Sequence, residues 1–241
     1  SKTILSPYET GIRLNRHGYR FKSCSMSDAV NLQVALVSNS QDDLHCLQAA
    51  YLMILQYFKP DYDVGWEEWS SLTGFEDNKG SWQLAGLLWF NTHGFEAKHI
   101  SLFNMHRFAT IGAAYLIEEY GEEVGQWQIE HSNLPLEQTR AKELIQSELF
   151  EKAEPTIEMI KQYLSQGYLI RCLVNSRKLN GKAGYFGHAV VVSGYDDEHL
   201  IIQDPGLPAI ADRSISLEDF ESAWADPNKE AKEMDIIRLR S

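Results

Sequence analysis

The stretch SNSQDDLHCLQAAYLMILQYF, residues 38–58, is a polar break that runs straight into an apolar helix. Leu44, Leu47, Tyr51, Ile54, Leu55 and Phe58 recur at helical spacing and make one apolar face. The expected helix spans Leu44 to Phe58. Asp42 or Asp43 would accept hydrogen bonds from its first free backbone donors, and Lys59-Pro60 would end it. Cys46 falls in the first turn, on a flank shared with Ala49, Ala50 and Met53. A helix start carries partial positive charge, which favours thiolate over thiol; a free thiol has a pKa of about 8.5.

The second half of the chain supplies the opposite type of element. YLIRCLVN (168–175), HAVVVSGY (188–195) and HLIIQDP (199–205) read as strands, and Asp196-Asp197 reads as the tight hairpin joining the last two. A short helix, SLEDFESAWA, and a final strand, MDIIRLR, follow. Between the two regions, residues 61–150 read as mostly helical. Helices are expected at 81–93, 106–120 and 136–152, with a short strand EAKHISL after the first of them. PTIEMIKQYLSQG reads as a helix with Pro155 in its first turn and Gly167 at its stop. LQVALV (32–37) reads as a short strand ahead of the Cys46 helix. The expected fold class is therefore α+β, with a helical first half packed on an antiparallel sheet from the second half. With no repeat or linker-like tract, residues 1–241 are expected to form a single domain. Its helical subregion covers about 41–165 and its sheet subregion about 166–241.

A cysteine nucleophile needs a lowered thiol pKa, a base in reach and donors for the developing oxyanion. Pairing about the Asp196-Asp197 turn sets His188, at the start of one strand, roughly opposite Asp204 or Pro205 at the end of the next. His188 is then the candidate base, and Asp204 the carboxylate that fixes its tautomer and stabilises the imidazolium. Gln41, five residues before Cys46, is placed to offer its amide to an oxyanion beside the thiol. The Cys46 backbone N–H, free at the helix start, would be the second donor. Taken singly, each residue has a plainer reading, as a core cysteine, a structural histidine or a turn aspartate. Their joint order on the right elements is what points to catalysis. His45 points about 100° away from its neighbour Cys46 and is expected at the surface or cleft rim rather than as the base. Cys172 is expected in the core, and Trp66, Trp69, Trp82 and Trp89 in the core or along a cleft.

These blocks resemble a known family. Q-DDLH-CLQAAYLMILQYF is similar to the active-site helix of the papain-like peptidases that cleave double-glycine leaders from bacteriocin precursors. It is more similar still to their stand-alone peptidase C39-like relatives. GYLIRCLVN…GHAVVVSGYDDEHLIIQDP resembles that family's second half, where Gly-His opens a strand and Asp-Pro ends the next. The resemblance covers about residues 32–58 and 155–226. It implies the papain-like cysteine proteinase fold and thiol-dependent attack on a peptide or small acyl substrate. The family usually has Gly-Pro after the cysteine, where this chain has Leu47-Gln48. Papain-like relatives include acyl and peptidyl transferases, so transfer stands beside hydrolysis, and a catalytically silent binding protein is the third reading.

Net charge at −12 and a pI near 5.1 argue against binding nucleic acid or an anionic membrane surface. No apolar run approaches the ~18 residues of a bilayer span, and the N-terminus lacks a signal-peptide pattern. Cys24, Cys46 and Cys172 are too few for a disulfide framework, so a reducing, cytoplasmic setting is expected. No CxxC or HxxxH spacing suggests a metal, and no cofactor is implied.

Overall fold

The computed structural model describes residues 29–241. In chain order the elements are β1 (Val30–Asn31), α1 (Cys46–Phe58), α2 (Trp66–Leu72), α3 (Leu84–Thr92) and β2 (Phe95–Ser101). Next come α4 (Met105–Ile111), α5 (Ala113–Tyr120), α6 (Glu122–His131), α7 (Leu134–Gln146), β3 (Phe150–Lys152) and α8 (Ile157–Ser165). The rest are β4 (Leu169–Asn175), α9 (Ser176–Leu179), β5 (Gly187–Tyr195), β6 (His199–Asp204), β7 (Ile210–Ser216), α10 (Leu217–Trp224) and β8 (Glu233–Leu239). The strands form one sheet in the order β3-β2-β8-β4-β5-β6-β7, with β1 added against β5. All neighbours are antiparallel except β2 and β3. The α+β class is thus as the sequence reads.

Strand alternation sends the apolar side chains of the central strands to two different cores. Ala189 and Val191 of β5 and Ile237 of β8 join the core beneath α1 and α3. Val190 and Val192 of β5, Cys172 of β4 and Ile236 of β8 join the core beneath α8 and α10. Because both faces are covered, β5 reads as a continuous apolar run rather than an alternating one. Helix α1 lies against β5, β4 and β8, which sets its N-terminal end beside the strand that carries His188.

Several expected boundaries move. The sheet draws on the first half as well: β2 lies between β3 and β8, so it is not an isolated strand. The helix expected over 136–152 stops at Gln146, because Glu148 takes a positive φ and the chain turns into β3. The helix expected over 106–120 divides at Gly112, where φ is +57° and a Cβ would lie 2.8 Å from Gln138 Oε1. LQVALV is not a strand; pairing with β5 ends at Asn31, with one further backbone bond from Leu32 N–H to Ser193 O at 2.8 Å. Cys24 lies outside the described residues.

A buried polar cluster joins α1 to the sheet. The Tyr51 hydroxyl of α1 donates to Asp235 Oδ2 of β8 at 2.7 Å, and it lies 3.1 Å from the Gln83 carbonyl. Arg171 Nε of β4 donates to the same Oδ2 at 2.6 Å, Arg171 Nη1 donates to Glu233 Oε1 at 2.5 Å, and His99 Nδ1 of β2 lies 2.7 Å from Asp235 Oδ1. Burial pushes the Asp235 carboxyl up, but Arg171 and the bonds from His99 and Tyr51 more than offset this and hold it below the usual range. The Tyr51 ring packs closely on Gly86 of α3, where a Cβ would come within 2.2 Å of a ring carbon. Only glycine leaves room for that approach. Removing one partner of such a cluster strands a buried charge. Asp235→Ala is therefore expected to cost about 3–5 kcal/mol, and Tyr51→Phe, which removes one donor, about 1–3 kcal/mol. Urea midpoints of the two variants check this ordering.

Candidate active site

Cys46 is the first residue of α1, so its backbone N–H has no partner within the helix. The helix starts two residues later than its apolar pattern suggests, because the chain before it is held by side chains. Asn39 Oδ1 accepts from His45 N–H at 2.8 Å and from Ser40 N–H at 2.9 Å. Asp42 Oδ1 accepts from Leu44 N–H at 3.0 Å. Asn39 N–H also donates to the Pro205 carbonyl at 2.7 Å, tying the approach to α1 onto the turn that follows Asp204. The cap expected from Asp42 or Asp43 does not form: His45, the residue before α1, makes no side-chain cap bond, and Asp42 and Asn39 instead hold the N–H groups of Leu44 and His45 just ahead of the helix.

His188 and Asp204 meet as the hairpin reasoning expects, though by a different register. The hairpin turns over Asp196–Glu198, with Asp196 Oδ1 accepting from the N–H groups of Glu198 and His199 at 2.8 and 2.7 Å. A bulge between Val192 and Gly194 then shifts the pairing to Val191↔Gln203. His188 Nε2–H nevertheless donates to Asp204 Oδ1 at 2.7 Å, with both side chains buried. That contact leaves Nδ1 for the thiol, with which His188 is hydrogen-bonded. The backbone of Gly206 passes over this pair: its N–H donates to Asp204 Oδ1 at 3.0 Å, and a Cβ there would lie 3.5 Å from His188 Nε2.

The electrostatics follow from these contacts. Burial alone would raise the Cys46 thiol. The hydrogen bond and charge of His188, with the N–H groups of Ala189 and Leu47, bring it below the ordinary thiol range. Burial alone would lower His188, but Asp204 and Cys46 push it up to about 10. The Asp204 carboxyl is raised by burial yet held below its ordinary value by His188, Gly206 N–H and Arg213. Both shifts run in the direction that favours a thiolate–imidazolium pair backed by a carboxylate.

Gln41 is exposed on the turn that ends at Asp43. His45, expected at the surface or cleft rim, is buried. It is 8% exposed and stacks on Phe75 with ring centroids 3.7 Å apart, and its Nδ1 lies 2.6 Å from Ser40 Oγ. Leu47 and Gln48, in place of the family's Gly-Pro, are both buried. Gln48 accepts Trp69 Nε1–H on its carbonyl at 2.9 Å and donates its amide to Ser81 Oγ at 3.3 Å. Trp69 and Trp89 are core, while Trp66 and Trp82 are partly buried against it. Cys172 is fully buried, and burial pushes its thiol well up. Among the described residues no group of three His, Cys, Asp or Glu could hold a metal ion, and no helix is long and apolar enough to cross a membrane. Arg213 was not signalled by the sequence: ADRSIS lacks an apolar run, so β7 and its one inward arginine were not read.

A helix-borne thiol facing a sheet-borne imidazole, on this sheet order, defines a cysteine peptidase scaffold of the papain-like kind. The sequence model of the Peptidase_C39 like family matches residues 32–232, and the chain belongs to that family. Among solved structures, a C39-like peptidase from Bacillus anthracis is similar at 14% identity and a TM-score of 0.52, covering 89% of this chain and 100% of that one. A double glycine motif protease from an AMS/PCAT transporter, solved with its leader peptide, is similar at 17% identity and a TM-score of 0.44, covering 88% and 97%. The peptidase domain of Streptococcus ComA, a bifunctional ABC transporter of a quorum-sensing pathway, is similar at 15% and 0.47, covering 86% and 98%. No curated protein matches the chain.

The contact between Cys46 and His188 predicts a thiol that is ionised early. Alkylation of Cys46 by iodoacetamide, followed on its own peptide against pH, should have its midpoint below that of an ordinary thiol. In His188→Ala its midpoint should move up to the ordinary thiol range of about 8.5.

Proposed function

We propose that the protein is a cysteine-dependent hydrolase of peptide or related amide bonds, with Cys46 as nucleophile, His188 as acid–base and Asp204 as the group orienting His188. The observation that carries this reading is the His188 ring held between the Asp204 carboxylate at 2.7 Å and the Cys46 thiol. Further support comes from exposed apolar side chains within three residues of each of the three: Leu44, Phe186 and Leu207.

The Cys46 thiolate adds to the substrate carbonyl carbon, and the carbonyl π electrons move onto oxygen. The Cys46 N–H and the Gln41 amide receive that oxyanion. Gln41, exposed at the turn before the helix, is free to reach a bound substrate. On collapse the C–N bond breaks, and His188 gives its Nδ1 proton to the departing amine, leaving a thioester. A water molecule then loses a proton to His188 as its oxygen attacks the thioester carbon. The C–S bond breaks, releasing the acid and restoring thiolate and imidazolium. An amine acceptor in place of water would make the same scaffold an acyl or peptidyl transferase. We take the unit doing this to be a single papain-like domain, acting in a reducing compartment such as the cytoplasm, where a thiolate survives.

The test is cleavage of a peptide library with varied residues on both sides of the scissile bond, read by mass spectrometry. Cys46→Ala should abolish cleavage. Gln41→Ala should lower kcat about 100-fold, as loss of one oxyanion donor does elsewhere, while the Cys46 alkylation profile stays that of the wild type. Full cleavage by Cys46→Ala would end this reading. Preferential formation of an adduct with added amine would convert it to the transferase form.

A further inference from the structure

Asp204 uses one oxygen on His188 and Gly206, and its other oxygen is not left to solvent. Asp204 is 4% exposed, and a buried carboxylate with an unmatched oxygen would be costly. Arg213, on β7, sits across from Ile202 of β6 in the strand register. Its Nη1 donates to Asp204 Oδ2 at 2.9 Å and to Asn180 Oδ1 at 3.0 Å, and its Nη2 donates to the Leu179 carbonyl at 2.8 Å. The guanidinium is therefore held by two groups at the end of α9 while a third bond reaches the carboxylate. Its planar fork suits this role better than a single ammonium would.

We propose that Arg213 is a positioning residue for the reaction at Cys46, the fourth member of a chain Cys46–His188–Asp204–Arg213. This deepens the hydrolase reading above and rests on it. With one oxygen fixed to Arg213 and the other to His188, the carboxylate cannot swing away from the imidazole. In the resting form thiolate, imidazolium, carboxylate and guanidinium sum to zero charge, so the buried cluster carries no unmatched ion. The charged groups facing Asp204 are His188 from β5 and Arg213 from β7, with Cys46 of α1 beyond the imidazole. Removing the cation leaves a net negative cluster, which binds protons more tightly at every titrating member. The sign is therefore the same for the whole set: protonation that destroys the reactive form occurs at higher pH.

The experiment uses the full chain. Alkylation of Cys46 by iodoacetamide is followed against pH in the wild type, Arg213→Met and Arg213→Lys, with melting temperatures measured in parallel. The acid limb of Arg213→Met should move up by about one pH unit, making alkylation on that limb about tenfold slower. Arg213→Lys should recover more than half of that shift, because it restores the charge. If Arg213→Met does not fold, Arg213→Gln, uncharged and polar, gives the same readout. A limb that stays in place while only the melting temperature falls would reduce Arg213 to a structural brace and overturn the proposal, with the hydrolase reading intact. An ordinary thiol curve in the wild type would overturn both.

Discussion

The start of α1 must press against the start of β5. A sulfur at the first position of a helix is only mildly acidified by the helix itself. An imidazole at the first positions of a strand is, by itself, only a weak base near neutrality. Brought into hydrogen-bond contact, each shifts the other: the thiol goes down and His188 goes up to about 10. Asp204 adds to the rise of His188, and both shifts act against burial, which favours the neutral forms. Much of the fold serves this contact. Two cores on opposite faces of the sheet stiffen β5, and the Tyr51–Asp235–Arg171 cluster seats α1 upon the sheet. The bond from Asn39 to Pro205 ties the loop ahead of Cys46 to the turn behind Asp204.

The site was legible where chemistry coincides with local pattern. A cysteine at the break between a polar run and an apolar helix is visible in the spacing of Leu47, Tyr51, Ile54 and Leu55. A histidine and an aspartate at opposite ends of a hairpin are visible in the two apolar runs either side of Asp196. The pairing estimate missed the bulge between Val192 and Gly194, yet the two side chains still meet. A side chain at a strand end reaches diagonal partners as well as direct ones, so a small register error was tolerated.

What was not legible depended on tertiary context. The helix starts later than its apolar pattern because Asn39, seven residues ahead of the cysteine, holds the His45 N–H outside it. His45 is buried by stacking on Phe75, a residue from beyond α2, and no local periodicity announces such a contact. LQVALV has strand composition, but after the Leu32 bond to Ser193 it makes no further ladder with the sheet. Residues 147–152 continue an apparently helical pattern, yet the chain turns and Phe150–Lys152 supply β3, because β2 offers an open edge there. Leu47 and Gln48, foreign to the family's usual Gly-Pro, are accommodated by Trp69 and Ser81, which receive the Gln48 backbone and side chain.

The account stands or falls on the protonation state of one ring. Nitrogen-15 spectra of the His188 imidazole, recorded against pH in the wild type and in Cys46→Ala, report it directly. The account predicts an imidazolium with both nitrogens protonated at pH 7 to 8, deprotonating near pH 10, and at distinctly lower pH once the sulfur is gone. A neutral ring at pH 8, titrating near the free value of about 6.5 with or without Cys46, would contradict it.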